Sequence, residues 1–364
     1  MRAGRSLMNG AGRYLAGVLV ALLLLPSLGM LAAPYETTSV MERRTLRVPP
    51  ARPRTFRQWI GLPQALDDWF ADHFAWRGVL VTAGFKLEAK AGLRPPGSVD
   101  VLRGRGDWLL LYQGLLGATG GEIDPAAARR YGAFVCDLQR TVKARGAAFL
   151  FAPAPATAEV YPEALPDWVP RASPTQPDLV LQAARACGVE PLDLRPAMRA
   201  GKAQQALYQH HDSHWTNAGA LIAFNGVAQT LGQSWAIASR SLGWRPGKPL
   251  DSDLVRLGAA YDLPQELAPE PPEGPGPAPE AVLTGIGHGV YPPPFVTPSR
   301  RPGPTVLIIG DSYAADYMGQ YFRRAGVTLA WIHQADCDFD RRIFDRVRPD
   351  FVVLMPAARL ELCR

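Results

Sequence analysis

Three of the chain's six histidines stand within five positions, in the stretch HHDSHW that begins at His210. Asp212 and His214 are two residues apart, so on an extended segment their side chains point to the same side. A carboxylate beside an imidazole can accept its N–H, fix the tautomer and stabilise the imidazolium that forms when the ring takes up a proton. The pair is therefore typical of a general base and the acid that orients it.

A serine that such a base could activate occurs in VLIIGDSYAADYMG, residues 306–319. The hydrophobic pattern predicts a strand that ends at Gly310 and a helix that begins at about Ala314, which places Ser312 between them. In open α/β sheets this edge binds ligands, and a helix N-terminus favours a developing oxyanion. The alternative is that Asp311 or Ser312 only caps the helix.

Together these residues predict a catalytic triad, with Ser312 as nucleophile, His214 as general base and Asp212 as the orienting acid. A metal site is the other chemical alternative, with His210, His211, Asp212 and His214 as ligands. Neighbouring histidines diverge on an extended chain and no second His/Asp cluster would complete the shell, so we favour the triad and predict no metal. A purely structural histidine cluster remains the third alternative.

The elements that must position these residues follow an alternating pattern. Apolar strands such as TVLIIG, VTLAWI and DFVVLMP alternate with amphipathic helices such as PAAARRYGAFVCDLQRTVKARG. This alternation predicts an α/β fold with a mainly parallel sheet covered on both faces. We expect VEPLDLRPAM to form a short strand and turn, and the proline-rich residues 263–304 to form a long surface loop.

The N-terminus predicts export. Three arginines precede an uncharged stretch from Tyr14 to Ala33, long enough for a helix to span a bilayer, with the basic side inside. We favour a membrane anchor over a cleaved signal peptide, because the residues before Pro34 fit a cleavage site poorly. The expected organisation is an anchor or signal (1–33), a linker with a helical segment (34–98) and a catalytic domain (99–364).

Composition narrows the function further. The formal net charge is +6, but no zinc-finger spacing, RNA-binding sheet signature or lysine-rich tail is present, so nucleic-acid binding is not expected. An exported chain can form disulfides, and its four cysteines allow three pairings. Cys337 and Cys363 flank the last strand and suggest one bridge, whereas Cys136 and Cys187 fall in helical patterns; free thiols are the alternative.

Several motifs, in order along the chain, resemble those of one family. HDSHWTNAGA and GDSY look like the Asp-x-His-Trp and Gly-Asp-Ser motifs of the alginate O-acetyltransferase type of SGNH hydrolase-like proteins, the AlgJ/AlgX group. Three further segments, DDWFADHFAWR, VLRGRGDWLLLY and FAPAPATAEVYPEALP, resemble earlier family segments, and RPDFVVLMPAARLEL resembles its closing segment. The resemblance runs from about Glu42 to Leu362.

The resemblance implies an SGNH-hydrolase-like three-layer sandwich in the periplasm, anchored to the inner membrane through residues 14–33. It implies transfer of acetyl groups to a secreted polysaccharide without a cofactor, with a membrane-bound O-acyltransferase as the acetyl donor partner. Substrate-binding roles are implied for Arg359, for Trp215 and for a tyrosine, either Tyr313 or Tyr317. The lysine usual in the third segment is absent.

Two other functions share these residues. An acetylesterase would use the same triad with water as the acceptor, and a non-catalytic scaffold of a secretion complex would not need the triad. The excess of basic side chains suits a uronate polymer such as alginate. The nine tryptophans would equally suit cellulose, through stacking on sugar faces.

Overall fold

The computed structural model describes residues 38–39, 44–74, 101–247, 252–257, 260, 263–272, 281–287, 292–299, 301–334, 336–357 and 363. The chain divides into two compact units, Met1–Leu87 and Glu88–Arg364. Within the described residues no helix is long and apolar enough to cross a membrane. The predicted anchor, residues 14–33, lies outside them, and the predicted domain limits stay predictions.

Among its described residues, the first unit has a long helix. Strands β1 (Thr38–Ser39) and β2 (Arg44–Thr45) pair antiparallel and precede helix α1 (Phe56–His73). A capping box starts α1: the Thr55 side chain accepts the Gln58 N–H at 3.3 Å, and the Gln58 side chain accepts the Thr55 N–H at 3.2 Å. These bonds satisfy amide groups that a helix start leaves unpaired.

The second unit is built of alternating strands and helices. Its strands are β3 (Val101–Arg103), β4 (Leu109–Leu111), β5 (Ala148–Phe151), β6 (Ala281–Val282), β7 (Phe295–Thr297), β8 (Thr305–Gly310), β9 (Thr328–His333) and β10 (Phe351–Met355). Its helices are α2 (Leu115–Ala118), α3 (Pro125–Ala144), α4 (Thr157–Val160), α5 (Gln176–Arg185), α6 (Arg195–Gly201), α7 (Asn217–Thr230), α8 (Asp253–Leu257), α9 (Ser312–Tyr317), α10 (Gly319–Ala325) and α11 (Ile343–Val347).

A six-stranded sheet of order β5-β10-β8-β9-β7-β6 forms the centre of this unit. The first four strands of that order run parallel, and β7 and β6 add antiparallel at one edge. β3 and β4 form a separate antiparallel pair. The mainly parallel α/β sheet expected from the sequence is confirmed.

Side chains of the central strands alternate between two cores, as the pleat of a strand requires. In β8, Ile308 faces a core that contains Trp331, with side chains of α7, α9 and α10. We call this side the aromatic face. The neighbouring Ile309 faces a core formed with α3, α5 and α11. Since both faces are covered by helices, the strands read as continuous hydrophobic runs.

Two disulfides lie on this second side, which we call the cross-linked face. Cys136 in α3 bonds Cys187 after α5, with Cα atoms 6.2 Å apart, and Cys337 bonds Cys363 with Cα atoms 5.1 Å apart. No cysteine is free. The Cys337–Cys363 bridge expected from the sequence is confirmed, and the alternative of free thiols is wrong.

Two local predictions need correction. Residues 263–304 are not only loop, because β6 and β7 lie within them and extend the sheet beside β9. The three residues of β7 lie between Pro294 and Pro298 and keep their own N–H groups, so a short ladder is possible there. The segment VEPLDLRPAM contains no strand; its end begins α6, with Pro196 in the first turn, where proline is tolerated.

Candidate active site

Ser312 lies where the sequence places it, at the carboxyl end of β8 and the first position of α9. Asp311 is the helix cap: its Oδ1 accepts the Tyr313 N–H at 3.0 Å, and its Oδ2 accepts the Ala357 N–H at 2.6 Å. The capping task therefore belongs to Asp311, and the Ser312 hydroxyl is used elsewhere. Gly310 is required before them, because a Cβ there would lie 2.4 Å from the Met355 carbonyl oxygen.

His214 lies near the end of a narrow loop that returns on itself. An antiparallel bridge joins Tyr208 to Trp215 at the base of the loop, and the Gln209 N–H donates to the His214 carbonyl at 3.2 Å. The carboxylate of Glu266 accepts the His210 N–H at 2.9 Å. The loop is thus held by hydrogen bonds to its backbone, which fixes where its side chains point.

The three residues of the predicted triad meet. The Nε2 atom of His214 is 2.7 Å from the Oγ of Ser312, although the two residues are 98 positions apart. The Nδ1 atom of His214 is 2.6 Å from the Oδ1 of Asp212. His214 is 1% exposed and Asp212 5% exposed. A serine, an imidazole and a carboxylate in this order form the hydrogen-bond chain of a nucleophile, its base and the orienting acid.

Asp212 keeps its negative charge inside the protein. Burial alone would raise the pKa of Asp212, but the hydrogen bond and the charge of His214, with the N–H groups of Asp253 and His214, hold that pKa well below its ordinary value. The two N–H groups donate at 2.8 and 3.1 Å. An ionised Asp212 selects the His214 tautomer that carries its proton on Nδ1, so Nε2 can accept the proton of Ser312.

Two tyrosine rings lie beside the imidazole, and Trp215 packs against one of them. The rings of Tyr313 and Tyr317 lie 5.0 and 5.7 Å from the His214 ring, and the Trp215 indole N–H donates to the Tyr313 carbonyl at 3.0 Å. The Tyr313 hydroxyl donates to the Ser213 carbonyl. Trp215 and Tyr313 are 0% and 1% exposed, and their predicted roles at the substrate stay predictions.

Tyr317 and Arg359 also have predicted roles at the substrate. Tyr317 is partly buried, and its hydroxyl accepts a hydrogen bond from Gln209 at 2.8 Å. Its role at the substrate stays a prediction. Arg359 lies outside the described residues, and its predicted role stays a prediction as well.

The other two histidines of the cluster do not join His214. The Nδ1 atom of His210 is 3.0 Å from one oxygen of Asp107, and the Nε2 atom of His211 is 3.7 Å from the other. His211 is buried, and both of its ring nitrogens lack a hydrogen-bond partner. The histidines therefore diverge, as expected for neighbours on an extended chain, and do not form the four-ligand set considered from the sequence.

Asp253 is the residue that sequence reasoning missed. With Asp212 and His214 it forms the group of described residues whose ligand atoms, within 4.8 Å of one another, could hold a metal ion. Its closest oxygen is 3.9 Å from the His214 Nδ1 atom, which already bonds Asp212. Asp253 follows a segment without clear periodicity, so no sequence signal pointed to it.

Comparison with known proteins decides the family. Residues 101–285 match the family model described as SGNH hydrolase-like domain, acetyltransferase AlgX. The chain belongs to this family. The matched AlgX-type region contains Asp212 and His214 and ends before Ser312. No curated protein matches the chain.

Solved structures similar to this AlgX-family chain include PatB1, AlgJ and AlgX proteins. Bacillus cereus PatB1 with a sulfonyl adduct is 14% identical over 72% of this chain and 95% of that one, with a TM-score of 0.54. The O-acetyltransferase domain of Pseudomonas putida AlgJ is 22% identical, covers 72% and 92%, and scores 0.46. Pseudomonas aeruginosa AlgX is 15% identical, covers 71% and 61%, and scores 0.44. The expected SGNH-like α/β fold is confirmed.

Proposed function

We propose that the chain is a periplasmic O-acetyltransferase that moves acetyl groups through an acyl-serine onto hydroxyls of a secreted polysaccharide. One observation carries the proposal: the hydrogen-bond chain from Asp212 through His214 to Ser312, at 2.6 and 2.7 Å, in a member of an acetyltransferase family. These hydrogen bonds supply an activated serine nucleophile, and the family indicates that the group transferred is acetyl.

The first half of the reaction loads the serine. His214 Nε2 takes the hydroxyl proton of Ser312 as its Oγ attacks the carbonyl carbon of the acetyl donor. The tetrahedral oxyanion collapses, the bond to the donor oxygen breaks, and that oxygen leaves with the proton from His214. The product is acetyl-Ser312, and Asp212 stabilises the imidazolium while it lasts.

The second half transfers the acetyl group. A sugar hydroxyl gives its proton to His214 Nε2, and its oxygen attacks the acetyl carbonyl carbon. The bond to the Ser312 Oγ then breaks, and the Oγ takes the proton back. We expect the Ser312 N–H to donate to the oxyanion in both halves, because the N–H groups of Tyr313, Ala314 and Ala315 already bond Asp311.

Two features of the chain support the proposed location. Two disulfides favour an oxidising compartment such as the periplasm, and the apolar residues 14–33 favour attachment to the inner membrane. We expect the acetyl donor to be a membrane-bound O-acyltransferase. Arg359 is expected to contact the polymer.

The acceptor is a uronate or a neutral glucan. The net charge of +6 favours an acidic polymer such as alginate. The tryptophans do not decide between the two polymers, because Trp215 and Trp331 are buried whereas Trp59 and Trp168 are exposed.

The test compares the purified chain with Ser312→Ala, using a chromogenic acetyl ester as donor and alginate or cello-oligosaccharides as acceptor. We expect mass spectrometry to find an added acetyl group on one oligosaccharide class with the wild type only. The matched control is Ser299→Ala, a serine on the loop before β8, which should keep full activity. Ester cleavage without sugar acetylation would favour an acetylesterase. Activity that does not depend on Ser312 would refute the triad and favour a scaffold.

A further inference from the structure

A second, partly buried carboxylate lies behind the imidazole of His214. Asp253 begins α8, and its Oδ2 atom is 3.9 Å from His214 Nδ1, with the aspartate side chain 15% exposed. The Ser213 hydroxyl donates to this Oδ2 at 2.6 Å, and the Ser213 N–H donates to Oδ1 at 2.8 Å. The N–H of Asp253 in turn donates to Oδ2 of Asp212 at 2.8 Å. Asp253 is therefore tied to both residues that precede the base.

These contacts fix the tripeptide Asp212-Ser213-His214. Ser213 is held at its N–H and at its hydroxyl, so the peptide between the two triad members cannot rotate without breaking both bonds. Asp212 is held at its second oxygen, which leaves Oδ1 for His214. The Ser213 hydroxyl oxygen is also 3.4 Å from His214 Nδ1, between the ring and Asp253.

The charges around His214 support the same role for Asp253. Burial and then repulsion by Asp212 raise the pKa of Asp253, while His214 and the Ser213 bonds oppose that rise. The titratable groups that face His214 include Asp212, Asp253, Tyr313 and Tyr317. The tyrosines carry no charge in the acidic range, so the negative charge beside the ring comes from Asp212 and, above its own raised pKa, from Asp253.

We propose that Asp253 is a positioning residue of the triad, which holds Ser213 and Asp212 so that His214 keeps Nε2 on Ser312. Its negative charge also helps to stabilise the imidazolium. The inference rests on the proposed function, since it takes His214 as the base. Asp253 does not touch the reacting atoms and acts through its neighbours.

The experiment measures kcat/KM for a chromogenic acetyl ester from pH 4 to 9, in wild type and Asp253→Asn. The variant removes the charge and the acceptor for the Ser213 hydroxyl while keeping the size of the side chain. We expect the plateau of kcat/KM in the pH profile to fall about 10- to 100-fold, since a hydrogen bond to a charged group is lost. We expect the acidic limb to move to lower pH by about half a unit to one unit, because the imidazolium loses a nearby negative charge.

Glu266→Gln is the matched control. Glu266 anchors the same loop at the N–H groups of His210 and His211, at 2.9 and 3.1 Å, so its loss tests loop anchoring alone. Its variant should lower the plateau without moving the acidic limb. An unmoved limb in folded Asp253→Asn, with a plateau like that of Glu266→Gln, would overturn the inference.

Two further variants close the test. If Asp253→Asn does not fold by circular dichroism, Ser213→Ala decides: it removes the bridging hydroxyl and leaves the carboxylate. A plateau at least about 5-fold lower supports the inference, and a smaller change overturns it. Ser312→Ala separates the two claims, because ester cleavage that survives in it refutes the proposed function itself. Loss in Ser312→Ala with a normal Asp253→Asn refutes only the role of Asp253.

Discussion

The two faces of the central sheet are built from different interactions. On the aromatic face, Asp212, Ser213 and His214 are all buried, and hydrogen bonds join them to one another and to Asp253. On the cross-linked face, apolar side chains and Tyr131 pack together, and two disulfides join the elements.

This difference separates positioning from stability. A hydrogen bond weakens steeply when its angle or length changes, so a network of them can place the Ser312 hydroxyl against a base within tenths of an ångström. Apolar burial has no direction and stabilises in proportion to the area removed from water. We therefore expect changes on the aromatic face to act first on activity, and changes on the cross-linked face to act first on the free energy of unfolding.

The largest expected effect is on catalysis, from Asp212→Asn. The amide leaves the geometry nearly unchanged but no longer selects the His214 tautomer, so kcat should fall about 1,000- to 10,000-fold. Steady-state cleavage of an acetyl ester measures this. The control is Asp340→Asn: this carboxylate binds Arg342 and the Gly287 N–H, and its loss should leave kcat within 2-fold, on the order of assay error. Equal losses in both variants would contradict the separation of the two faces.

The next effect is on stability, from Leu138→Ala on the cross-linked face. Leu138 is 0% exposed in α3, and its truncation leaves a cavity. The free energy of unfolding should fall by about 2–5 kcal/mol, as measured by urea denaturation. The kcat of the folded variant should stay near that of the wild type. A large fall in kcat would show that this face also sets the geometry of the triad.

Removal of each disulfide sharpens the comparison within the cross-linked face. Cys136 and Cys187 are separated by 51 residues, and Cys337 and Cys363 by 26. Double alanine variants should each lose about 2–4 kcal/mol of unfolding free energy, since each bridge restricts the unfolded chain. The first pair should lose more by about 0.6 kcal/mol, because its loop is about twice as long. Thermal denaturation measures the two losses of stability, and ester cleavage shows whether activity is kept. A larger loss for the Cys337–Cys363 pair would contradict the chain-entropy explanation.

The smallest effect concerns a buried charge on the aromatic face. Burial raises the pKa of Glu159 in α4 to about 7, although the Ala156 N–H and Arg195 oppose the rise. The folded chain then binds a proton more tightly than the unfolded chain between pH 4.5 and about 7, so Glu159 makes the free energy of unfolding fall as the pH rises through that window. Glu159→Gln should reduce this fall by about 1–3 kcal/mol. Urea denaturation at pH 5 and pH 8 measures it, and an identical slope in both proteins would refute the assignment.

Much of the site could be predicted because its signals are local. The spacing of Asp212 and His214 puts them on one side of an extended segment, and the strand before Ser312 ends at the edge where ligands bind. The alternation of strands and helices was also sufficient for the fold class. The flanking positions of Cys337 and Cys363 indicated one disulfide correctly. The prolines around β7 misled the prediction because three free N–H groups suffice for a short ladder.

The sequence by itself determined the chemical types in the site, the family and the face of the segment on which the base and its acid lie. Only the tertiary structure decided which groups meet. It brought Ser312 to His214 across 98 positions, placed Asp253 behind the ring and buried Trp215 and Tyr313. The reason is physical: side-chain direction within a segment follows from local backbone geometry, whereas contact between segments depends on strand order and on how the loops pack at the sheet edge.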